Sequence, residues 1–192
     1  LMHHKFMHNT DHRDYAILYR GNHQARLFER VLREQRIPYY LSGGLSFFER
    51  TEVRDIMAYL KLLANPDNDS AFLRAVNTPR REIGAATLEK LSAYAQGRNV
   101  SLFAASFEMG LAQHLNDRQL ASLKRFCVWL SDLADRAREE EPATVLRSLL
   151  ADIAYDTWLK ETCDSLEAAE KRMENVLELT GWLTRLAKQE QE

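Results

Sequence analysis

The chain has 192 residues, enough for one domain, or for one domain and part of another, around a buried core. Its formal net charge of −2 excludes the overall basic signature of a nucleic-acid binder, but residues 1–90 carry 14 Lys/Arg against 11 Asp/Glu while residues 91–192 carry 12 against 17. Any DNA contact is therefore expected in the first half. The 2 cysteines, Cys127 and Cys163, exclude a disulfide framework and fit a reducing cytoplasm, and no apolar run has membrane-spanning length or signal-peptide form.

His3, His4, His8 and His12 open the chain. His4 and His8 lie at i, i+4 on a candidate helix, a spacing that suits zinc, but no nearby carboxylate or cysteine completes a set, so no metal is expected. Tyr15–Tyr19 reads as a strand running into the polar turn Arg20-Gly21-Asn22-His23-Gln24. Ala25 to Gln35 reads as a helix with Leu27, Phe28, Val31 and Leu32 on its apolar side, and Tyr39–Leu41 as a second strand. A strand–helix–strand unit of this length predicts parallel strands with a right-handed crossover. Such a pair makes no stable sheet alone, so the rest of the sheet is expected outside the chain.

After Ser42-Gly43-Gly44 the pattern turns helical. Thr51 to Ala64 predicts a helix with Val53, Ile56, Met57, Leu60 and Leu63 facing inward. Asn65-Pro66-Asp67-Asn68 ends it, and Asp69 or Ser70 is the expected cap of a short helix over Ala71 to Val76. Leu120, Leu123, Cys127, Leu130, Ala134 and Ala137 mark a long amphipathic helix. Pro142 starts another with Val145, Leu146, Leu149 and Leu150. Leu166, Met173, Val176, Leu177, Thr180, Leu183 and Leu186 mark a last one. The expected fold is mainly α, with a partial α/β segment of two parallel strands in front.

Several groups suit phosphate recognition. The turn after the first strand lies where parallel α/β sheets bind ligands. Asn22 and helix-start N–H groups can bond phosphate oxygens and Arg20 can supply charge; the plainer alternative is an ordinary turn with Asn22 as N-cap. Gly43 and Gly44 permit positive dihedrals or close approach of another chain. Arg50 and Arg54 are four apart, so on one helix they share a face and can touch a phosphate backbone together, unless Glu49 and Asp55 neutralise them. Phe47 and Phe48 suit the core better than base stacking. Asn77 to Leu91, N-T-P-R-R-E-I-G-A-A-T-L-E-K-L, reads as a tight turn before a helix. Its N–H groups with Arg80 and Arg81 suit a phosphate backbone, and a solvated turn carrying an arginine pair is an equal alternative. No nucleophile–base pair argues for hydrolysis or acyl transfer.

These segments together resemble superfamily 1 DNA helicases of the UvrD/Rep/PcrA family. The carriers are Y-A-I-L-Y-R-G-N-H-Q from Tyr15, S-G-G-L-S-F-F-E-R-T-E-V-R-D from Ser42, and the Asn77 to Leu91 block. UvrD and PcrA typically show G-I-G where this chain has Glu82-Ile83-Gly84, and Rep-like members share the acid. The resemblance implies that residues 1–50 are part of the second RecA-like motor domain, 2A. Residues 51–192 are then most of the helical accessory domain, 2B, truncated at its C-terminus. It implies DNA contacts from Arg20, Asn22, Arg50, Arg54, Thr78, Arg80, Arg81 and Gly84, with a hinge at Gly43 and Gly44. The implied parent is a bacterial, cytoplasmic, nucleoid-associated enzyme that uses ATP and Mg²⁺ to move 3′ to 5′ on single-stranded DNA and unwind duplex. Its partners are single-stranded and duplex DNA and the remaining helicase domains, with no membrane.

The chain itself shows no G-x-x-x-x-G-K-[ST] phosphate loop and no Asp-Glu metal box. The family's Q-N-Y-R segment would precede residue 1, and its closing arginine motifs would follow residue 192. ATP hydrolysis needs those parts together, so this chain is expected to be inactive alone and to hold no cofactor. An alternative from another class is a non-catalytic, all-helical module whose acidic C-terminal half docks a protein.

Overall fold

The computed structural model describes residues 2–42 and 46–189. The chain divides into two compact units, Leu1–Arg50 and Thr51–Glu192. Both are built from helices, and among the described residues there is no strand.

The first unit contains helix α1 (Met2–His8), a 3-10 turn (His12–Asp14), helix α2 (Asn22–Glu34) and a second 3-10 turn (Phe47–Glu49). The two expected parallel strands are not formed. Tyr15–Tyr19 and Tyr39–Leu41 are irregular and, with α2, line an open cleft of about 870 Å³. A ladder needs a neighbour for each backbone N–H and C=O, and a lone strand pair does not hold itself in register. The helix between them starts earlier than expected, at Asn22, and its apolar side is open: Leu27, Phe28 and Val31 are exposed. It buries Ala25 and Glu29 instead.

Glu29 organises this unit. It accepts hydrogen bonds from the Ser46 hydroxyl, from the Phe47 N–H at 3.2 Å and from the Tyr39 hydroxyl at 3.1 Å. A buried carboxylate is tolerated because its acceptor sites are filled this way. Phe47 is buried edge-on against Phe48, with the Arg26 and Arg33 guanidinium groups over the two rings at 5.6 and 4.0 Å. The phenylalanines therefore pack, as the sequence suggested.

The second unit is a layered helical body. It comprises α3 (Thr51–Ala64), α4 (Asp69–Ala75), α5 (Ala85–Arg98), α6 (Leu102–Ala105) and α7 (Asp117–Glu139), then α8 (Pro142–Asp152), α9 (Tyr155–Thr162) and α10 (Leu166–Gln189). Helix α3 is central, packing on α4, α7 and α10. Its Val53, Ile56, Tyr59 and Leu62 are buried, as are Phe72 of α4, Phe126 and Leu130 of α7, and Val176 and Leu179 of α10. Each such side chain contributes roughly 1.5–3 kcal/mol by leaving water.

Local chemistry sets the boundaries. Asn68, rather than Asp69 or Ser70, caps α4, its Oδ1 accepting from the Ala71 N–H at 3.0 Å. Asn116 and Gln119 form a reciprocal capping box on α7, and Pro142 occupies the first turn of α8. Asn99 ends α5 with φ +54°, the left-handed geometry that stops a helix. On α10 the expected stripe rotates: Leu166 and Leu177 are exposed, while Ala169, Asn175, Val176 and Leu179 face inward.

Candidate nucleic-acid interface

The turn that opens α2 is fixed by Gln24. Its Oε1 accepts from the Arg20 N–H at 3.0 Å and the Gly21 N–H at 3.3 Å, reaching back as the second half of a capping box. Gln24 is thus occupied by the backbone, and Arg20 is exposed beside it. Asn22 begins the helix, but its side chain lies outside the described residues, as do Gly43 and Gly44.

The stretch Arg50 to Asp55 sorts its charges by face. Arg50 has extended backbone and stands before α3, so it shares no helix face with Arg54. Arg54 is exposed. The acids between and after them turn inward. Glu52 accepts from the Asn175 side-chain amide at 2.6 Å, and Asp55 accepts from Arg74 at 2.7 Å and from the Tyr155 hydroxyl at 2.9 Å. Asp55 is thus engaged by Arg74 and Tyr155 inside the helical body. Burial pushes its carboxyl above the ordinary value despite the opposing effects of Tyr155 and Arg74. The same burial, with the adjoining carboxylate, pushes the Tyr155 hydroxyl upward.

The third group is the turn from Asn77 to Gly84. Asn77 Oδ1 accepts the Arg81 N–H at 2.7 Å, and the Thr78–Pro79 peptide is cis. Arg81 is pulled inward. Its guanidinium donates to the carbonyls of Ala75 and Pro79, each at 3.0 Å, and to the Tyr59 hydroxyl at 2.6 Å. It also lies 5.7, 5.0 and 5.8 Å from the ring centres of Tyr59, Phe126 and Trp129. Tyr59 in turn donates to the carbonyls of Ala75 and Thr78, and burial pushes its hydroxyl up to about 12. Arg81 and Thr78 are thereby engaged in holding the turn together, while Arg80 and Gly84 face solvent.

Glu82 adopts φ +61°, the left-handed region that glycine enters freely and other residues enter at a cost. Gly84 has an ordinary φ of −73° and caps α5, with open space where a side chain would begin. Of the two, Glu82 occupies the position with a glycine-like backbone.

The profile of the UvrD-like helicase C-terminal domain matches residues 1–192, the whole chain. The chain belongs to that family. Among its relatives, the protein named ATP-dependent DNA helicase Rep from Salmonella typhimurium (strain LT2) is 55% identical over 186 residues, covering 97% of this chain and 27% of the relative. The protein of the same name from Escherichia coli (strain K12) is 53% identical, covering 97% and 28%. That of Buchnera aphidicola subsp. Baizongia pistaciae is 40% identical, covering 95% and 27%. The chain thus spans just over a quarter of the length of these curated relatives.

Within this UvrD-like chain, side chains that carry no linear motif complete the picture. Arg118, in the first turn of α7, meets Glu82 at 2.7 Å. Nothing in the spacing signals a pair 36 positions apart. The aromatic cage around Arg81 draws on α3 and α7, and is equally invisible in linear sequence. At the N-terminus, the His4 ring lies 4.2 Å from that of His8, tilted by 31°, and hydrogen-bonds the Tyr15 hydroxyl at 2.9 Å. Among the described residues, no three His, Cys, Asp or Glu side chains converge as a metal site, and no helix is long and apolar enough to cross a membrane.

Proposed function

We propose that this chain is a segment of a Rep-like ATP-dependent DNA helicase, with residues 1–50 belonging to the second RecA-like motor domain and residues 51–192 to accessory domain 2B. The observation that carries the reading is identity above one-half across nearly the whole chain to two proteins named ATP-dependent DNA helicase Rep. The parent binds ATP and Mg²⁺, moves 3′ to 5′ along single-stranded DNA and separates duplex in the cytoplasm. Charge-stabilising and phosphate-cradling groups come from outside this segment, because ATP hydrolysis needs a phosphate loop that this sequence does not contain.

In this reading the exposed Arg20 and Arg54 touch the single strand. The open turn from Arg80 to Gly84 meets duplex backbone, with peptide N–H groups at the start of α5 presented to phosphates. The hinge at Gly43 and Gly44 lets the accessory domain rotate and tune unwinding rather than drive it.

The test uses the full-length gene product on duplexes carrying a 3′ or a 5′ single-stranded tail. ATP-dependent separation of the 3′-tailed substrate alone is expected. No separation, or preference for the 5′ tail, sinks the proposal. The 192-residue chain assayed alone is expected to show no DNA-stimulated ATP turnover, and turnover that persists through repeated purification would contradict the assignment of its residues.

A further inference from the structure

We propose that Arg118 and Arg125 on α7 belong to the duplex-binding surface, and that Glu82 holds Arg118 in reserve until a DNA phosphate displaces it. The inference rests on the reading that the Arg80–Gly84 turn meets duplex, and adds residues that no motif identifies.

The geometry is specific. The turn preceding α5 and the first turn of α7 are tied by the Glu82–Arg118 pair at 2.7 Å, and both side chains are largely exposed, at 71% and 79%. Arg118, by its hydrogen bond and its charge, holds the Glu82 carboxyl below its ordinary value, with a smaller lowering by the Arg125 charge. Arg118 and Arg125 are seven residues apart on α7, so they project from one face about 10 Å apart along the axis. With Arg80 exposed on the adjoining turn, the patch carries three arginines, with Glu82 engaging Arg118 and Asp117 beside it in the first turn of α7.

Such a patch suits a phosphate backbone. An exposed ion pair adds little to stability, so exchanging Glu82 for a phosphate oxygen costs little of the fold. Arginine binds phosphate bidentately, as it binds carboxylate, so the guanidinium held by Glu82 is already oriented for the exchange. Glu82 reaches Arg118 of α7 from a left-handed backbone position. An acid at this position therefore weakens duplex contact in two ways, by repelling phosphate and by occupying Arg118.

The experiment compares the chain with Glu82→Gly, Arg118→Ala, the double variant and Arg80→Ala, by anisotropy on hairpin DNA across a salt series, with circular dichroism to verify folding. Arg81 is left intact because it holds the turn together. Glu82→Gly is expected to tighten binding about two- to fivefold at low salt, with the gain fading as salt screens the charge. Adding Arg118→Ala to Glu82→Gly is expected to cancel that gain and lower the log–log salt slope by about one. If the double variant binds as tightly as Glu82→Gly with an unchanged slope, Arg118 is only a partner of Glu82 and the inference is overturned. Arg80→Ala separates the two levels. If it weakens binding while Arg118→Ala in the glycine background is silent, only this inference fails. If neither matters, or no variant binds duplex, the duplex-contact reading fails with it.

Discussion

The first 50 residues and the remaining helical body handle apolar surface in opposite ways. In the helical body Val53, Ile56, Tyr59, Leu62, Phe72 and Val176 are fully enclosed. In the first unit, Leu18 and Tyr40 are each 92% exposed, and among the described residues only Ala25, Ile37 and Phe47 are buried hydrophobics. The difference follows from how each type of element is satisfied. A helix closes its own backbone hydrogen bonds and needs only one covered stripe, whereas a strand is incomplete without neighbours. A helical body can therefore finish itself, while a segment of strand-like sequence without neighbours is left open.

Substitutions can break or sharpen that contrast. The largest effect is expected for Arg81→Ala, which removes hydrogen bonds to Ala75, Pro79 and Tyr59 and empties an aromatic cage. Loss of about 2–4 kcal/mol is expected from urea unfolding followed by helical circular dichroism. A loss below about 0.5 kcal/mol would mean that the turn is not part of the helical body's cooperative structure.

Glu29→Ala should act on the other unit. Its loss leaves Ser46, Phe47 N–H and Tyr39 without their acceptor, at a cost of about 1–3 kcal/mol confined to the first unit. Hydrogen exchange should accelerate at Phe47 and not at the core of α3. Acceleration in both would show that the two units unfold together.

A smaller effect concerns pH. Asp55 has its folded-state carboxyl value raised above the ordinary 3.8, chiefly by burial. Just above that ordinary value, the folded chain keeps a proton that the unfolded chain has released, so this group makes stability fall as pH rises through the window. Asp55→Asn should flatten that fall in unfolding curves recorded upward from the ordinary value of 3.8. An unchanged pH slope would assign the buried carboxylate no net penalty. The smallest effect is expected for Leu18→Ser with Tyr40→Ser, within about 0.5 kcal/mol in the isolated chain, because both side chains are already in water. A larger destabilisation would show that the first unit covers these side chains in solution.

The sequence was legible wherever the physics is local. Periodicity placed α3, α7, α8 and α10, and Pro142 and the Asn65 to Asn68 run marked breaks because ring geometry and side-chain capping act within one turn. It failed where facing is decided at long range. Leu177 is exposed and Asn175 buried on α10 because Glu52 of α3 supplies the amide's partner. The two expected strands fail for the same reason, since a short apolar run specifies a strand only when a ladder exists to receive it. At the candidate interface, the turn before α5 was visible from its glycine-substituted pattern, whereas the inward pull on Arg81 was not. An arginine pair looks the same in sequence whether it reaches for phosphate or for a cage of rings.

That cage has a mechanical consequence. Arg81 fastens the Asn77–Gly84 turn simultaneously to the end of α4 through Ala75, to α3 through Tyr59 and to α7 through Phe126 and Trp129. A tug on the turn is thus shared at once among three helices, and the turn cannot swing on its own. A pull on Arg80 or Gly84 is therefore passed through Arg81 to α3, α4 and α7 rather than taken up by the turn alone.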